Sequence, residues 1–152
     1  DVAGWSQSPK DIPNVQSFFG SNQLQRFLKR TDILICLLPL TEDTFGIINK
    51  NNLAQLPTGA VLVNCARGAH VVDEDLIEAL DTGQIASAVL DVFQAEPLPQ
   101  DHPFWSHPKI TITPHMASLT VAHSAAHYVA ENIRRVERGE RPLNLVDFSR
   151  GY

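Results

Sequence analysis

Three chemically active side chains follow short apolar segments of this 152-residue chain. Arg67 comes after the segment 60–64, Glu96 after 85–92, and His115 after 110–113. A guanidinium matches the two oxygens of a carboxylate, and an imidazole can exchange a proton near neutral pH. A carboxylate beside the imidazole stabilises its protonated form. Together these groups would suit proton transfer on a small substrate that carries a carboxylate.

Each of these residues also has an ordinary structural explanation. Arg67 could be a solvated loop residue, Glu96 a surface residue beside a proline, and His115 a loop histidine with its hydrogen bonds satisfied. Asp91, at the end of the segment 85–92, could be a strand-end or turn residue. Their shared position favours a catalytic role over these structural explanations, because proteins with parallel sheets bind ligands beyond the carboxyl ends of the strands.

The segments that must position these residues alternate between strand-like and helical patterns. Strands are predicted at 2–6, 32–38, 60–64, 85–92 and 110–113. The predicted helix N-caps are Ser21, Asn49, Asp73 and Thr120, with Leu76, Ile77 and Leu80 buried in the third helix and Val121, Ala125, Val129, Ile133 and Val136 on the apolar face of the fourth. This alternation predicts an α/β fold with a parallel sheet covered by helices on both faces.

Composition excludes several other classes of protein. The formal charge of −5 favours neither nucleic acid nor an anionic membrane as a partner, and no apolar run approaches the roughly 20 residues that span a bilayer. Cys36 and Cys65 are predicted to be buried, reduced thiols, which is typical of a cytoplasmic protein. His123 and His127 share a helical face, but without a third ligand we expect no metal site. His70 is predicted to be a loop residue.

Three motifs occur in order: Asn64-Cys65-Ala66-Arg67-Gly68, then Leu90-Asp91-Val92-Phe93 with Glu96-Pro97, then Thr113-Pro114-His115. Their order and spacing resemble the signatures of D-isomer-specific 2-hydroxyacid dehydrogenases. The segment 37–41 with Thr44 resembles the loop beside the cofactor in that family. Trp105 ahead of His107-Pro108 and the ending Arg150-Gly151-Tyr152 are similar to one branch of it.

The resemblance implies a role for each residue in reducing a 2-oxo acid such as glyoxylate or hydroxypyruvate. Arg67 would bind the substrate carboxylate and polarise the carbonyl. His115 would protonate the carbonyl oxygen as hydride arrives, and Glu96 would orient His115 and keep it protonated. Other residues would line the cofactor or wall the substrate pocket: Leu38, Pro39, Cys65, Ala66 and Asp91 for the cofactor, and Trp105 for the substrate. Stabilisation of the developing alkoxide would be the main catalytic device.

The same resemblance implies a Rossmann-like, doubly wound domain that is truncated. Residues 1–139 would form a partial NAD(P)-binding domain without its first strand and glycine-rich phosphate loop, since no G-x-G-x-x-G occurs here. Residues 140–152 would be a tail that returns to an absent substrate domain. We therefore expect the isolated chain to be inactive, and the full-length protein to be a homodimer.

The end of the first predicted strand bears on cofactor choice. NAD-preferring members carry an acidic residue there, which bonds the ribose 2′-hydroxyl. Here the region from Trp5 to Lys10 has no acid, and Ser6, Ser8 and Lys10 could receive a 2′-phosphate. NADPH is therefore the predicted cofactor, with NADH the alternative, although the region has no arginine and could be an ordinary polar turn.

Two other classes of protein remain to be weighed. A cofactor-sensing scaffold, similar to a corepressor of the same fold, could retain the arginine, the glutamate and the histidine. Detectable reduction of an oxo acid would favour the enzyme over that scaffold. A flavodoxin-like receiver domain would require an acidic cluster at a first strand, and the chain has none.

Overall fold

The computed structural model describes residues 1–118 and 120–148. The chain forms two compact units, Asp1–His115 and Met116–Tyr152. The ending Arg150-Gly151-Tyr152, which contributes to the family resemblance, lies outside the described residues.

All strand pairs of the first unit are parallel. The strands are β1 (Val2–Ser6), β2 (Val15–Phe19), β3 (Ile33–Cys36), β4 (Ala60–Asn64), β5 (Ile85–Leu90) and β6 (Ile110–Ile112). They form a two-stranded sheet, β1-β2, and a four-stranded sheet in the order β3-β4-β5-β6. The predicted α/β class and parallel pairing are therefore confirmed. The strand β2 was not predicted, because polar Gln16 and Ser17 interrupt its apolar pattern and only Phe18 is buried.

Four helices accompany the strands: α1 (Ser21–Leu28), α2 (Lys50–Leu53), α3 (Asp73–Asp81) and α4 (Ala122–Glu137). Asn49 caps α2 as predicted, since its side chain accepts the Asn52 amide at 3.2 Å. The other three predicted caps are wrong, because the capping positions belong to Gly20, Val72 and Val121. Asp73 already lies in the first turn of α3, where its negative charge interacts favourably with the positive end of the helix dipole.

The core of the first unit lies against the four-stranded sheet. Its fully buried aliphatic side chains come from α2, β4, α3 and β5: Leu53, Leu62, Leu76, Leu80, Ile85 and Leu90. In α3 the inner positions are Leu76, Ala79 and Leu80, and Ile77 is only partly buried, contrary to the prediction. Because β4 and β5 are the central strands, their carboxyl ends are held by the most rigid part of the unit.

One face of β3 is open. Ile33, Ile35 and Leu37 are 60%, 56% and 73% exposed, whereas Cys36 faces the core. Parallel sheets are normally covered on both faces. In the described part of the chain, the predicted covering by helices is therefore incomplete at this face.

The second unit contains α4 and the segment that follows it. The Asn132 side chain accepts the Leu143 amide at 2.7 Å, and Arg135 Nε donates to the Arg141 carbonyl at 2.7 Å. The residues predicted as the apolar face of α4 are exposed, apart from the partly buried Ala125: Val121, Val129, Ile133 and Val136. The periodicity of α4 therefore marks an apolar stripe that the described residues do not bury.

Candidate active site

A carboxylate–imidazole pair lies beyond the ends of β5 and β6. Glu96 Oε2 is 2.8 Å from His115 Nδ1, and Glu96 Oε1 accepts the Phe93 amide at 3.0 Å. Both carboxylate oxygens are thus engaged, which fixes the orientation of the carboxyl group. Because Glu96 occupies Nδ1, Nε2 of His115 is the nitrogen left for a substrate.

The backbone around His115 is bound to the end of β5. His115 has a positive φ of 50°, and its amide donates to the Asp91 carbonyl at 2.9 Å. The Thr113 hydroxyl donates to the carboxylate of Asp91, which is buried. Asp91 therefore joins the ends of β5 and β6, and this junction turns the imidazole towards Glu96.

Three neighbours lower the pKa of Glu96, and burial of the carboxyl group opposes them. The hydrogen bond with His115 is the largest cause, the Phe93 amide adds to it, and the charges of His115 and Arg67 contribute less. Each of these interactions favours the ionised carboxylate. In the chain, Arg67, Glu96 and His115 follow β4, β5 and β6, whose carboxyl ends lie at the same edge of the parallel sheet.

The lowered pKa of Glu96 predicts its titration. Because the pKa of Glu96 is lowered in the folded protein, its ionised carboxylate stabilises the folded state at pH values above the pKa of the unfolded chain. This stabilisation is lost as the pH falls through the pKa of the folded state. In ¹³C NMR we therefore expect the Glu96 carboxyl to titrate below its ordinary 4.5. His115→Gln should raise that midpoint, because it removes the largest cause. A Glu96 midpoint unaffected by His115→Gln would contradict the pairing.

The loop that carries Arg67 is held by a buried side chain at the end of β4. Asn64 Nδ2 donates to the Arg67 carbonyl at 3.0 Å, and Asn64 Oδ1 accepts the Ala66 amide at 3.1 Å. Gly68 lies so close to the backbone of Phe93 that a Cβ there would overlap it. The loops after β4 and β5 are therefore in direct contact, and only the Arg67 side chain is left exposed.

Four of the predicted cofactor-lining residues follow two neighbouring strands: Leu38 and Pro39 follow β3, and Cys65 and Ala66 follow β4. The Pro39 carbonyl accepts the hydroxyl of buried Thr44 at 2.7 Å, which wraps the loop around that side chain. Cys36 and Cys65 are free thiols, and burial raises the pKa of Cys36. Cys65 is only partly buried, so the prediction of two buried thiols holds for Cys36 alone.

The end of β1 borders a cavity of about 150 Å³. Ser6 and Lys10 line it, together with Gly4, Trp5, Ile12, Val15 and Ser17. The Ser6 hydroxyl donates to the Ser8 carbonyl at 2.8 Å, and the Lys10 amide donates to Ser17 Oγ at 3.2 Å. These two backbone-anchoring bonds give the turn after β1 a defined shape and leave the Lys10 side chain exposed.

Residues 1–117 match the family model described as "D-isomer specific 2-hydroxyacid dehydrogenase, NAD binding domain". The chain belongs to this family of dehydrogenases. Two curated relatives are named glyoxylate/hydroxypyruvate reductase A. The Serratia proteamaculans protein is 51% identical, covering 100% of this chain and 49% of its own length. The Yersinia enterocolitica protein is 49% identical, covering 99% and 48%. The chain therefore spans about half the length of the curated dehydrogenases it matches.

Solved dehydrogenase structures agree with the fold. A Xanthobacter autotrophicus D-isomer specific 2-hydroxyacid dehydrogenase in complex with NADPH and MES has a TM-score of 0.96 and 47% identity, covering 100% of this chain and 63% of that one. The NADPH-dependent glyoxylate/hydroxypyruvate reductase of Sinorhizobium meliloti, with NADP and sulfate, has a TM-score of 0.92 and 38% identity, covering 99% and 49%. The Rossmann-like fold class of the chain is thus confirmed.

Trp105 occupies a different place from the three residues at the sheet edge. It lies on a 3₁₀ turn, Pro103–Trp105, and its indole N–H donates to the Pro99 carbonyl at 2.9 Å. The side chain is 54% exposed. The indole is thus anchored to its own loop, and its predicted contact with substrate stays a prediction.

Two buried polar residues support the site without having been predicted to do so. Asn64 and His70 are each 0% exposed. The prediction that His70 is a loop residue is wrong, because His70 ends the 3₁₀ turn Gly68–His70, and a single histidine gives no periodic signal of its burial. Asn64 ends an apolar strand, and a polar side chain that ends such a strand would have been a usable signal for a loop anchor.

Among residues 1–118 and 120–148, no group of three or more metal-ligating side chains comes together. His123 and His127 pack edge to face with ring centroids 4.7 Å apart. Within the same ranges, none of the helices is both long and apolar enough to cross a membrane.

Proposed function

We propose that the full-length protein reduces a small 2-oxo acid, glyoxylate or hydroxypyruvate, to the 2-hydroxy acid with NADPH. The observation that carries this proposal is the Glu96–His115 pair, 2.8 Å apart, with the charge of Arg67 acting on it. A carboxylate-binding cation beside an oriented proton donor is what reduction of a 2-oxo acid requires. The names of the Serratia and Sinorhizobium relatives support the same substrates.

Arg67 binds and polarises the substrate in this proposal. Its side chain is exposed at the end of an anchored loop, where Nη1 donates to the Ala66 carbonyl at 2.6 Å, and Nε with Nη2 can form two parallel bonds with a carboxylate. The same positive charge lies where negative charge develops on the carbonyl oxygen during reduction. Binding and polarisation by one side chain explain why a 2-oxo acid, rather than a simple ketone, would be selected.

His115 supplies the proton. With Nδ1 bonded to Glu96, the imidazolium presents the Nε2 proton to the substrate carbonyl oxygen. Glu96 orients the ring, and the Phe93 amide favours the ionised form of Glu96. The 2-hydroxy acid leaves with that proton on its new hydroxyl group.

The cofactor would lie along the carboxyl ends of the strands. When bound, a reduced nicotinamide supplies the hydride. Asp91 would hold the nicotinamide end, and the loops after β3 and β4 would border the cofactor through Leu38, Pro39, Cys65 and Ala66. Ser6 and Lys10 would receive a 2′-phosphate at the cavity beside β1, where no acidic side chain lines the wall.

The open edges of the two sheets support the proposed domain organisation. In doubly wound domains the strand order 3-2-1-4 places the first strand of the domain between its second and fourth strands. In this proposal β1 and β3 correspond to that second and that fourth strand. In the described part of the chain each of them pairs with one strand, and the outer face of β3 is exposed. Residues 1–139 would thus form a partial NAD(P)-binding domain, completed by a strand and glycine-rich loop outside this chain. Residues 140–152 would return to a substrate domain.

Lys10 provides a test of cofactor choice. Lys10→Ala should raise the KM for NADPH about three- to tenfold and leave the KM for NADH unchanged, because an exposed ion pair is worth about 1 kcal/mol. Lys29→Ala, which removes an exposed lysine at the end of α1, is the matched control. Equal effects of Lys10→Ala on the two cofactors, or a wild-type preference for NADH, would overturn the assignment.

The function itself is tested by turnover. The full-length protein is expected to oxidise NADPH with glyoxylate or hydroxypyruvate, to be a homodimer, and to work in the cytoplasm, where free Cys36 and Cys65 stay reduced. The 152-residue chain alone is expected to give no turnover. Cofactor binding without reduction of either oxo acid would instead favour the cofactor-sensing scaffold.

A further inference from the structure

His70 is a fully buried histidine for which the reaction above has no use. Its ring nitrogens contact two different loops. Nδ1 lies 3.3 Å from the Arg67 amide nitrogen and 2.9 Å from the Arg67 carbonyl oxygen, and Nε2 lies 3.3 Å from the Pro39 carbonyl oxygen. The side chain therefore spans from the substrate-binding loop after β4 to the predicted cofactor loop after β3.

The hydrogen-bonding groups around the ring indicate one tautomer. The Arg67 carbonyl already accepts from Asn64 Nδ2 at 3.0 Å and from the His70 amide at 3.2 Å. Among the described residues, the Arg67 amide has Nδ1 as its acceptor. A neutral ring with its proton on Nε2 accepts from that amide and donates to Pro39, so it bonds both loops, whereas a ring with its proton on Nδ1 could donate to the Arg67 carbonyl at 2.9 Å but would make no bond to Pro39.

The backbone holds the imidazole in this position. The Gly46 amide donates to the Ala69 carbonyl at 2.8 Å, and the Ile48 amide donates to the His70 carbonyl at 2.8 Å. The Val72 amide in turn donates to the Ile48 carbonyl at 3.0 Å. The ring is thus fixed at its base and bonded at both nitrogens, which leaves it little freedom to move.

We propose that His70 is a positioning residue that couples the two halves of the site, since its Nδ1 holds the Arg67 loop and its Nε2–H holds the Pro39 loop. This inference rests on the proposed function, because it assigns substrate to one loop and cofactor to the other. Neutral hydrogen bonds of this kind are each worth about 1 kcal/mol, and groups that hold binding residues commonly affect function about tenfold.

Two conservative substitutions separate the two bonds. In His70→Asn, the amide oxygen lies near the position of Nδ1 and can accept from Arg67, but the side chain is too short to reach Pro39. In His70→Gln, the amide nitrogen can reach Pro39, but no acceptor remains for the Arg67 amide. A residue that only stabilised the fold would lower Tm in both variants without changing substrate and cofactor binding separately.

The experiment measures both variants in the full-length protein. His70→Gln should lower kcat/KM for the oxo acid about tenfold and change the KM for NADPH less than about twofold. His70→Asn should do the reverse, raising the KM for NADPH about five- to tenfold. His107→Gln is the matched control, since His107 also bonds two elements, through Lys109 and Asp81, away from these loops.

Long-range ¹H–¹⁵N NMR of the wild type provides a readout that needs no variant to fold. It should show the His70 proton on Nε2, and a proton on Nδ1 alone would overturn the coupling. Variants that lower only Tm, or that affect both KM values equally, would also overturn it. If the wild type turns over and the variants give these results, only the role of His70 is refuted. If the wild type does not turn over, the proposed function is refuted.

Discussion

His115→Gln in the full-length protein is expected to lower kcat for glyoxylate about 100- to 10,000-fold, the usual contribution of a positioned acid. The KM should change little, because Arg67 still binds the carboxylate. Glutamine can occupy the space beside Glu96, but it has no proton that it can give up near neutral pH. Steady-state assays with NADPH at several pH values measure this loss.

The control for His115→Gln is another histidine paired with a carboxylate. His102 Nε2 lies 3.5 Å from Asp73 Oδ2, and this pair joins the residue before the 3₁₀ turn Pro103–Trp105 to the start of α3. His102→Gln should retain activity within about threefold if only surface pairing is lost. Equal losses in His115→Gln and His102→Gln would contradict the assignment of His115 as the proton donor.

Glu96 and His115 should also behave as one unit. Glu96→Gln removes the charge that orients the His115 ring. Part of the activity that this variant loses is therefore also lost when His115 itself is replaced. The double variant should therefore be far less impaired than the product of the two single losses, as is usual for residues that act together. Multiplicative losses would mean that the two side chains act independently, despite their 2.8 Å contact.

Gly68→Ala should disrupt the site through packing alone. An added Cβ would overlap the carbonyl group of Phe93 and the amide of Gln94, well inside the 3.0 Å limit of real Cβ contacts. These neighbours are backbone atoms and cannot rotate away, so the loops after β4 and β5 must separate. Overpacking of this kind costs about 1–3 kcal/mol or more, and here it displaces Arg67 from Glu96. We expect a lower Tm and at least a tenfold loss of kcat/KM.

Gly4→Ala is the matched control for Gly68→Ala. A Cβ at Gly4 meets Val15 Cγ1 at 3.7 Å, an ordinary contact, and the backbone there has no positive φ. Thermal unfolding of both variants should separate a general effect of alanine from the close approach at Gly68, and the activity of Gly68→Ala is compared with the wild type because Gly4 lines the cavity beside β1. Wild-type Tm and activity in Gly68→Ala would show that the two loops are not packed as described.

The sheet edge was predictable because it depends on a simple geometric rule. Apolar strands joined by helices are expected to be parallel, so the sequence placed Arg67, Asp91 and His115 at one edge. β4 matches its predicted bounds, whereas β5 begins at the predicted Ile85 but ends at Leu90, two residues before the predicted end.

Other features depend on tertiary contacts that no local pattern records. β2 has polar residues in its middle and is specified by its pairing with β1. The burial of His70 follows from the meeting of two loops after β3 and β4. The caps at Ser21 and Asp73 were misplaced by one residue, because several polar residues near a helix start are equally plausible caps.

The most direct test is a crystal structure of the full-length protein with NADPH and oxamate, an unreactive analogue of a 2-oxo acid. We expect the Arg67 guanidinium to bond the oxamate carboxylate. We also expect His115 Nε2 to lie within about 2.6–3.2 Å of the oxamate carbonyl oxygen. Oxamate bound elsewhere, or Arg67 turned away from the Glu96–His115 pair in that complex, would contradict this expectation.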